Sequence, residues 1–338
     1  MTHAWFAAAA LAAALNAGQD AQPSEPQPAD ATPQSGPVLA LEAPAADDPV
    51  LRNAETYAAY HADVGEAGRR EIRSGADLDA TMDALTQYYD GDRLVDAQIA
   101  YAALIAAQNP EFIDSVRAVA DYYGTDVARS ALMGDPVYVT GFMGADVASD
   151  SVVGAIGEDV AAMEAVGDRY KQAAYDLQNE TWAARRARDR QERLASLETA
   201  SQRLETNFRL ADGAEGSVNG TGRLGSASSL FEARAPATGP TLPALELNVG
   251  EAQLEPDERR VGRMLAVAAL ASIESGDMTA LDYMLDDPSV ERCITWARLT
   301  MAQCVAAGHF KYEDSFCIAE HALLDVAECL TATRPVSN

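Results

Sequence analysis

Four cysteines, Cys293, Cys304, Cys317 and Cys329, all fall within the last 46 residues of a 338-residue chain. An even set confined to so short a region reads as a disulfide framework rather than as scattered thiols. Three pairings are possible, and helix geometry separates them. Cys293 and Cys304 lie about three turns apart on one face of one helix, about 16 Å along its axis, so they cannot bond each other. The run Gly308–Asp314 (GHFKYED) breaks the pattern, which sets the flanking helices antiparallel about a turn. In such a hairpin, residues that lie level share a midpoint in the numbering. Cys304 with Cys317 and Cys293 with Cys329 share one near residue 311, whereas the crossed pairing lies three turns out of register. The expected bridges are therefore nested, Cys293–Cys329 outside and Cys304–Cys317 inside. One misfit remains: from Cys317 to Cys329 an α-helix advances three turns plus about 120°, so Cys329 is expected at a bent or frayed end. A zinc site is the competing use of these thiols, with Cys317 and His321 at i,i+4 and Cys304 near them. Its spacing matches no zinc finger, and neither metal nor cofactor is expected.

The N-terminus supports the oxidised reading. Ala4–Leu15 (AWFAAAALAAAL) is a 12-residue apolar run followed by small and polar residues, the pattern of an export signal cleaved after Ala17. Only the α-amino group and His3 precede it, with no Lys or Arg. Twelve residues are too few for a permanent membrane anchor, and the longest later run, Met264–Ile273, is shorter still. The mature chain is expected to be periplasmic or extracellular, with no transmembrane segment.

Much of the apolar content is alanine, while Val, Ile and Thr are sparse. That composition predicts an all-α fold. Residues 18–49 (rich in Ala, Pro, Gln and Asp) are expected to be a disordered tether, because they hold too little bulky apolar surface to offset ordering entropy. A helical domain is expected over 50–209. Asn109-Pro110, Asp135-Pro136 and Asp287-Pro288 each place a capping side chain before a proline at the first helical position. Leu78, Met82, Leu85 and Tyr89 form one apolar stripe at helical spacing; Leu94, Ile99, Tyr101 and Ile105 form another; Phe112, Val116, Val119 and Tyr123 a third. Tyr57, Tyr60, Tyr88, Tyr89, Tyr122 and Tyr123 read as core and rim, not as a carbohydrate platform. Residues 156–209 read as one or two long helices. Residues 210–258, dominated by Gly, Ser and Pro, read as a flexible linker in which Phe231, Leu245, Leu247 and Val249 could dock. A disulfide-bonded helical domain is expected over 259–333, with helices at 259–275, 277–286, 289–307 and 314–331.

Net charge is −27, which repels phosphate backbones and excludes general nucleic-acid binding. Residues 166–209 alone run the other way, with nine bases against seven acids. Within them Arg185, Arg186, Arg188, Arg190 and Arg193 cluster around Asp189 and Glu192. Two readings stay open: a solvated helical face laced with ion pairs, or a docking face for an anionic partner.

No GxSxG, HExxH, GxGxxG or P-loop occurs, and of the two lysines, Lys171 and Lys311, neither lies in a Ser-x-x-Lys. His61 is expected on a polar helix face. Glu313, Asp314, Glu320, His321 and Asp325 gather about the hairpin turn, as helix caps and exposed faces or as a proton-transfer or cation site. The leading expectation is a non-enzymatic envelope scaffold or adaptor that binds another envelope protein or itself. The alternative is a hydrolase or lyase of cell-wall polymer assisted by Glu313 or His321.

The four-cysteine hairpin resembles the twin-cysteine hairpins of the CHCH type, with ten and eleven intervening residues in place of nine, a likeness of geometry. The segment from Arg292 to Cys329, with Tyr312-Glu313-Asp314, Cys317 and His321, and the stretch YKQAAYDLQNETW (170–182) are similar to exported alphaproteobacterial proteins with such a tail. That resemblance implies export and disulfides and carries no activity.

Overall fold

Asp48, Asn109 and Asp287 each precede a proline and accept from backbone amides of the turn they open, so capping and proline together start three of the helices. The computed structural model describes residues 48–89, 92–187, 190–202, 210, 224–231, 256–273 and 278–331. The expected export signal (1–17) and the expected tether up to residue 47 lie outside the described residues. So do 211–223 and 232–255 of the expected linker.

The helices are α1 (Pro49–Arg69), α2 (Gly75–Thr86), α3 (Arg93–Ala107), α4 (Pro110–Tyr123), α5 (Thr125–Gly134), α6 (Ala145–Asp176), α7 (Arg190–Ser201), α8 (Pro256–Ile273), α9 (Met278–Leu285), α10 (Pro288–Ala307), α11 (Lys311–Cys317) and α12 (Asp325–Leu330). Short 3₁₀ turns add Pro136–Gly141, Leu177–Asn179 and Ser228–Phe231, and a π-helical stretch, Ile318–Leu324, joins α11 to α12. The fold is all-α: among the described residues there is no strand, only an isolated bridge between Arg186 and Phe310. No helix among them is long and apolar enough to cross a membrane.

Helix α3 is buried nearly all round and packs on α1, α6 and α8, as a helix apolar on every face must. That packing corrects the expected division into separate domains over 50–209 and 259–333: α8 lies against α3, and the π stretch lies against α6. Both sets of helices share one core.

The close fit of α6 on the hairpin depends on Gly167, where a Cβ would stand 2.8 Å from Leu324 Cδ2. Gly144 is required twice over, by its φ of 74° and by the amide of Phe112, 2.7 Å from where a Cβ would be.

The end of the hairpin is fastened from the other half of the chain. Arg260 of α8, 5% exposed, donates to the carbonyl oxygens of Cys329 (2.9 Å) and Thr331 (3.1 Å) and to Gln98 Oε1. Gln98 of α3 in turn donates to the carbonyl of Leu330 at 2.7 Å. The last carbonyls of a helix have no partner within it; here α3 and α8 supply one.

Several elements differ from the sequence reading. Asp135-Pro136 opens a 3₁₀ turn rather than an α-helix, held short where it runs against Gly262 of α8, a contact in which a Cβ would stand 3.0 Å from the Pro136 carbonyl. The third apolar stripe is completed by Ile113 and Ala120, while Tyr123 is 59% exposed. His61 is not on a polar face: it is buried between the rings of Tyr57 and Tyr60, with centroids at 4.6 and 5.3 Å. Burial holds its pKa below the ordinary imidazole value, against the pull of Asp159. Leu210, Leu224 and Ala227 of the expected linker are buried in the core, and Phe231 packs against it. Leu245, Leu247 and Val249 lie outside the described residues.

Candidate partner-docking cleft

The Arg-rich segment is not one helix. α6 ends at Asp176, and residues 183–187, which leave a turn at 181–184 for an irregular path, lie along the hairpin turn before α7 begins at Arg190. Their backbone is tied to the turn by three bonds: the Ala187 amide to the His309 carbonyl (2.9 Å), Lys311 to Arg185 (3.2 Å), and Tyr312 to Ala183 (3.2 Å). Local propensity favours a helix through WAARRAR, but these tertiary bonds, with Ala183 fully buried, override it. The turn is itself held from both sides. Cys304 pairs with Cys317 and Cys293 with Cys329, and Glu313 accepts from the amides of His309 and Phe310.

Between α2, α7, the irregular segment and the turn lies a cleft of about 700 Å³. Arg185, Arg186, Arg193, Lys311, Asp79, Asp83, Glu192 and Asp314 supply its charge, and Trp182 and Met82 its apolar wall. The five arginines singled out by sequence part company here. Arg193, with its side chain 10% exposed, is spent on Asp314 and donates to the Gly308 carbonyl. Lys311 bridges Asp314 (2.6 Å) and Asp79. Arg185 and Arg186 are exposed at the mouth, and no carboxylate among the described residues pairs with either. Arg190 is exposed at the start of α7 but does not line the cleft, and Arg188 lies outside the described residues.

Asp314 is the one carboxylate in the cleft that is fully buried. Burial pushes its pKa up, and Lys311 and Arg193 pull it back. With both oxygens engaged by cations it serves as the foundation that orients Arg193 and Lys311 and leaves no oxygen free to act as a base. Sequence reading missed Lys311, Asp79 and Trp182 as cleft residues. The signal that could have found Lys311 and Asp314 is their i,i+3 spacing on the first turn after the hairpin bend.

The residues considered for catalysis have structural employment. Glu313 caps the turn, and His321 Nδ1 lies 2.7 Å from Asp325, which also accepts from Thr300. Neither lines this cleft or the smaller groove of about 180 Å³ between α7 and α10. All four cysteines are bridged, so no thiolate is left to join His321 in a zinc site. Among the described residues no group of three or more His, Cys, Asp or Glu is placed to hold a metal. No family model, curated protein or solved structure matches the chain.

A second electrostatic feature lies outside the cleft, on α3. Asp96 is pushed up to about 7, first by burial and then by Asp92, Asp286, Asp282 and Glu291, and its Oδ1 has no hydrogen-bond partner. In the unfolded chain an aspartate titrates near ~3.9. Between the two values the folded state keeps a proton that the unfolded state has lost. Stability from this group is thus present at the acid end and lost as pH rises through about 7. Asp96→Asn is expected to raise stability at pH 8 by about 1–2 kcal/mol, after discounting for solvent screening, and to change little at pH 4. Urea unfolding of both proteins at the two pH values reads this directly.

Proposed function

We infer that the chain is a non-enzymatic exported protein, a scaffold or adaptor of the cell envelope, which holds an acidic segment of a partner protein against Arg185 and Arg186. The observation that carries this reading is the division of labour among the cleft's cations. Arg193 and Lys311 are neutralised in place by Asp314 and Asp79, and Arg185 and Arg186 are left presented at the mouth. In a chain of net charge −27, two exposed arginines with no carboxylate partner among the described residues make a local exception to the repulsion an acidic partner would meet elsewhere. Arginine also takes carboxylates in a two-pronged grip. Export is supported by the two bridges and by the apolar N-terminus.

Charge reversal tests the docking. Arg185→Glu with Arg186→Glu is expected to cut capture of the partner, read by crosslinking in intact cells with mass spectrometry, by at least about tenfold, because each lost charge-assisted contact is worth about 1.5–3 kcal/mol. The circular dichroism spectrum should be unchanged, since both side chains are exposed. Equal crosslinking by the double variant would remove the cleft from the function.

A further inference from the structure

Residues 224–231 (LGSASSLF) are held as a receptor holds a peptide. Gln108, at the end of α3, takes Leu224 with both ends of its amide: Oε1 accepts from the Leu224 amide at 2.7 Å, and Nε2 donates to its carbonyl at 3.1 Å. The Tyr101 hydroxyl donates to the Gly225 carbonyl at 3.0 Å. On α6, Glu158 accepts from the Ser226 hydroxyl at 2.7 Å. Asp159 accepts from the consecutive amides of Ala227 and Ser228, at 3.1 and 2.7 Å. Arg69 of α1 donates to the Phe231 carbonyl at 3.3 Å. Four of these side chains read backbone groups, and only Glu158 reads a side chain of the segment. Leu224 and Ala227 are buried, with Phe231 against Gly65.

Asp159 decides the case. It is 1% exposed, and among the described residues no cation pairs with it and no donor reaches it except those two amides. A buried carboxylate without a cation is costly unless hydrogen bonds satisfy it. This one is placed for a pair of adjacent peptide N–H groups, which any peptide backbone offers. The segment is joined to the helices by 13 residues on one side, after Leu210, and by 24 on the other, before α8. It belongs to neither flanking helix.

We propose that Tyr101, Gln108, Glu158 and Asp159 form a peptide-binding site and that residues 224–231 are its tethered, exchangeable ligand. The site takes a short uncharged peptide with a small residue and two free amides at its centre and apolar residues at its ends, such as the same eight residues from a second copy of the chain. A tether holds its ligand at an effective concentration on the order of mM, so the resident segment masks the site until it is weakened or outcompeted.

The test uses a fluorescent synthetic peptide of residues 224–231 and fluorescence anisotropy. In a full-length variant carrying Leu224→Ser, Ala227→Gly and Phe231→Ser, the tethered copy is weakened. The peptide is then expected to bind at least about 30-fold more tightly than to the unaltered chain, and Asp159→Asn added to that variant should abolish the gain. A folded triple variant that does not bind the peptide overturns the proposal, and so does binding indifferent to Asp159→Asn. If the triple variant does not fold, hydrogen exchange of the unaltered chain decides. Ala227 and Ser228 amides exchanging at least about 100-fold faster than those of α3 support an exchangeable segment. Exchange only through global unfolding overturns it.

Discussion

Arg260→Met is expected to lower the free energy of unfolding by about 3–5 kcal/mol, among the largest effects of any single substitution in this chain. Methionine fills similar volume and removes all five donors, which isolates the hydrogen bonding from the packing. The buried carbonyl of Cys329 and Oε1 of Gln98, and the half-buried carbonyl of Thr331, then lose their donor, and each buried unsatisfied acceptor costs about 1–3 kcal/mol. Gln98 is drawn in as well, because its grip on the Leu330 carbonyl depends on Arg260 holding the other end of its amide. Arg260→Lys should recover part of the loss, since a single ammonium cannot span the same acceptors. Urea unfolding at constant slope is the measurement. A loss below about 1 kcal/mol for Arg260→Met would mean that water replaces the guanidinium and that the helix end is not sealed.

This network also shows where sequence reading ends. The helices themselves were legible. The Asx-Pro starts of α4 and α10 and the stripes through Leu78 and Leu94 follow from capping and from the 3.6-residue period, which act within a few residues. What escaped depends on partners distant in the sequence. Arg260 and Gln98 are 162 residues apart, and nothing local marks either as buried. His61 carries a polar label, yet lies in the core because α1 is covered by α3. Residues 183–187 have helical propensity and are held out of a helix by the turn at 309–312. Residues 224–231 read as linker because their anchors are few, and their hydrogen-bond partners lie on α1, α3 and α6. In the cleft, the arginine cluster was visible, but its separation into neutralised and presented members was not. That separation depends on Asp79 and Asp314, which lie far away in the sequence.

The misfit in the cysteine spacing has a structural answer, and the last prediction rests on it. Twelve residues of α-helix leave Cys329 about 120° past the face of Cys317, yet both cysteines meet partners on α10, with Cα separations of 5.6 and 5.7 Å. The π stretch between them closes its bonds from i to i+5 and so winds nearly one residue more into each turn. Over its seven residues that takes back roughly the whole excess. Ile318, Ala319, Ala322 and Leu323 of the stretch are fully buried, so its register is fixed by packing as well as by sulfur. Both bridges are therefore expected to act on an already formed hairpin and to stabilise chiefly by constraining the unfolded chain. For the outer loop of 36 residues and the inner loop of 13, the chain-entropy relation gives about 4 and about 3 kcal/mol. Cys293→Ala with Cys329→Ala should cost the larger amount, and Cys304→Ala with Cys317→Ala the smaller. Removing all four should cost less than the two together, because each closed loop shortens the other. The inner pair has a further consequence. It closes the turn whose backbone holds Arg185 and Arg186 in place, so its loss should also weaken partner capture, which loss of the outer pair should leave intact. Urea unfolding with and without reductant, beside crosslinking of both variants, separates the two effects. Equal loss of capture from either pair would show that the bridges serve stability alone.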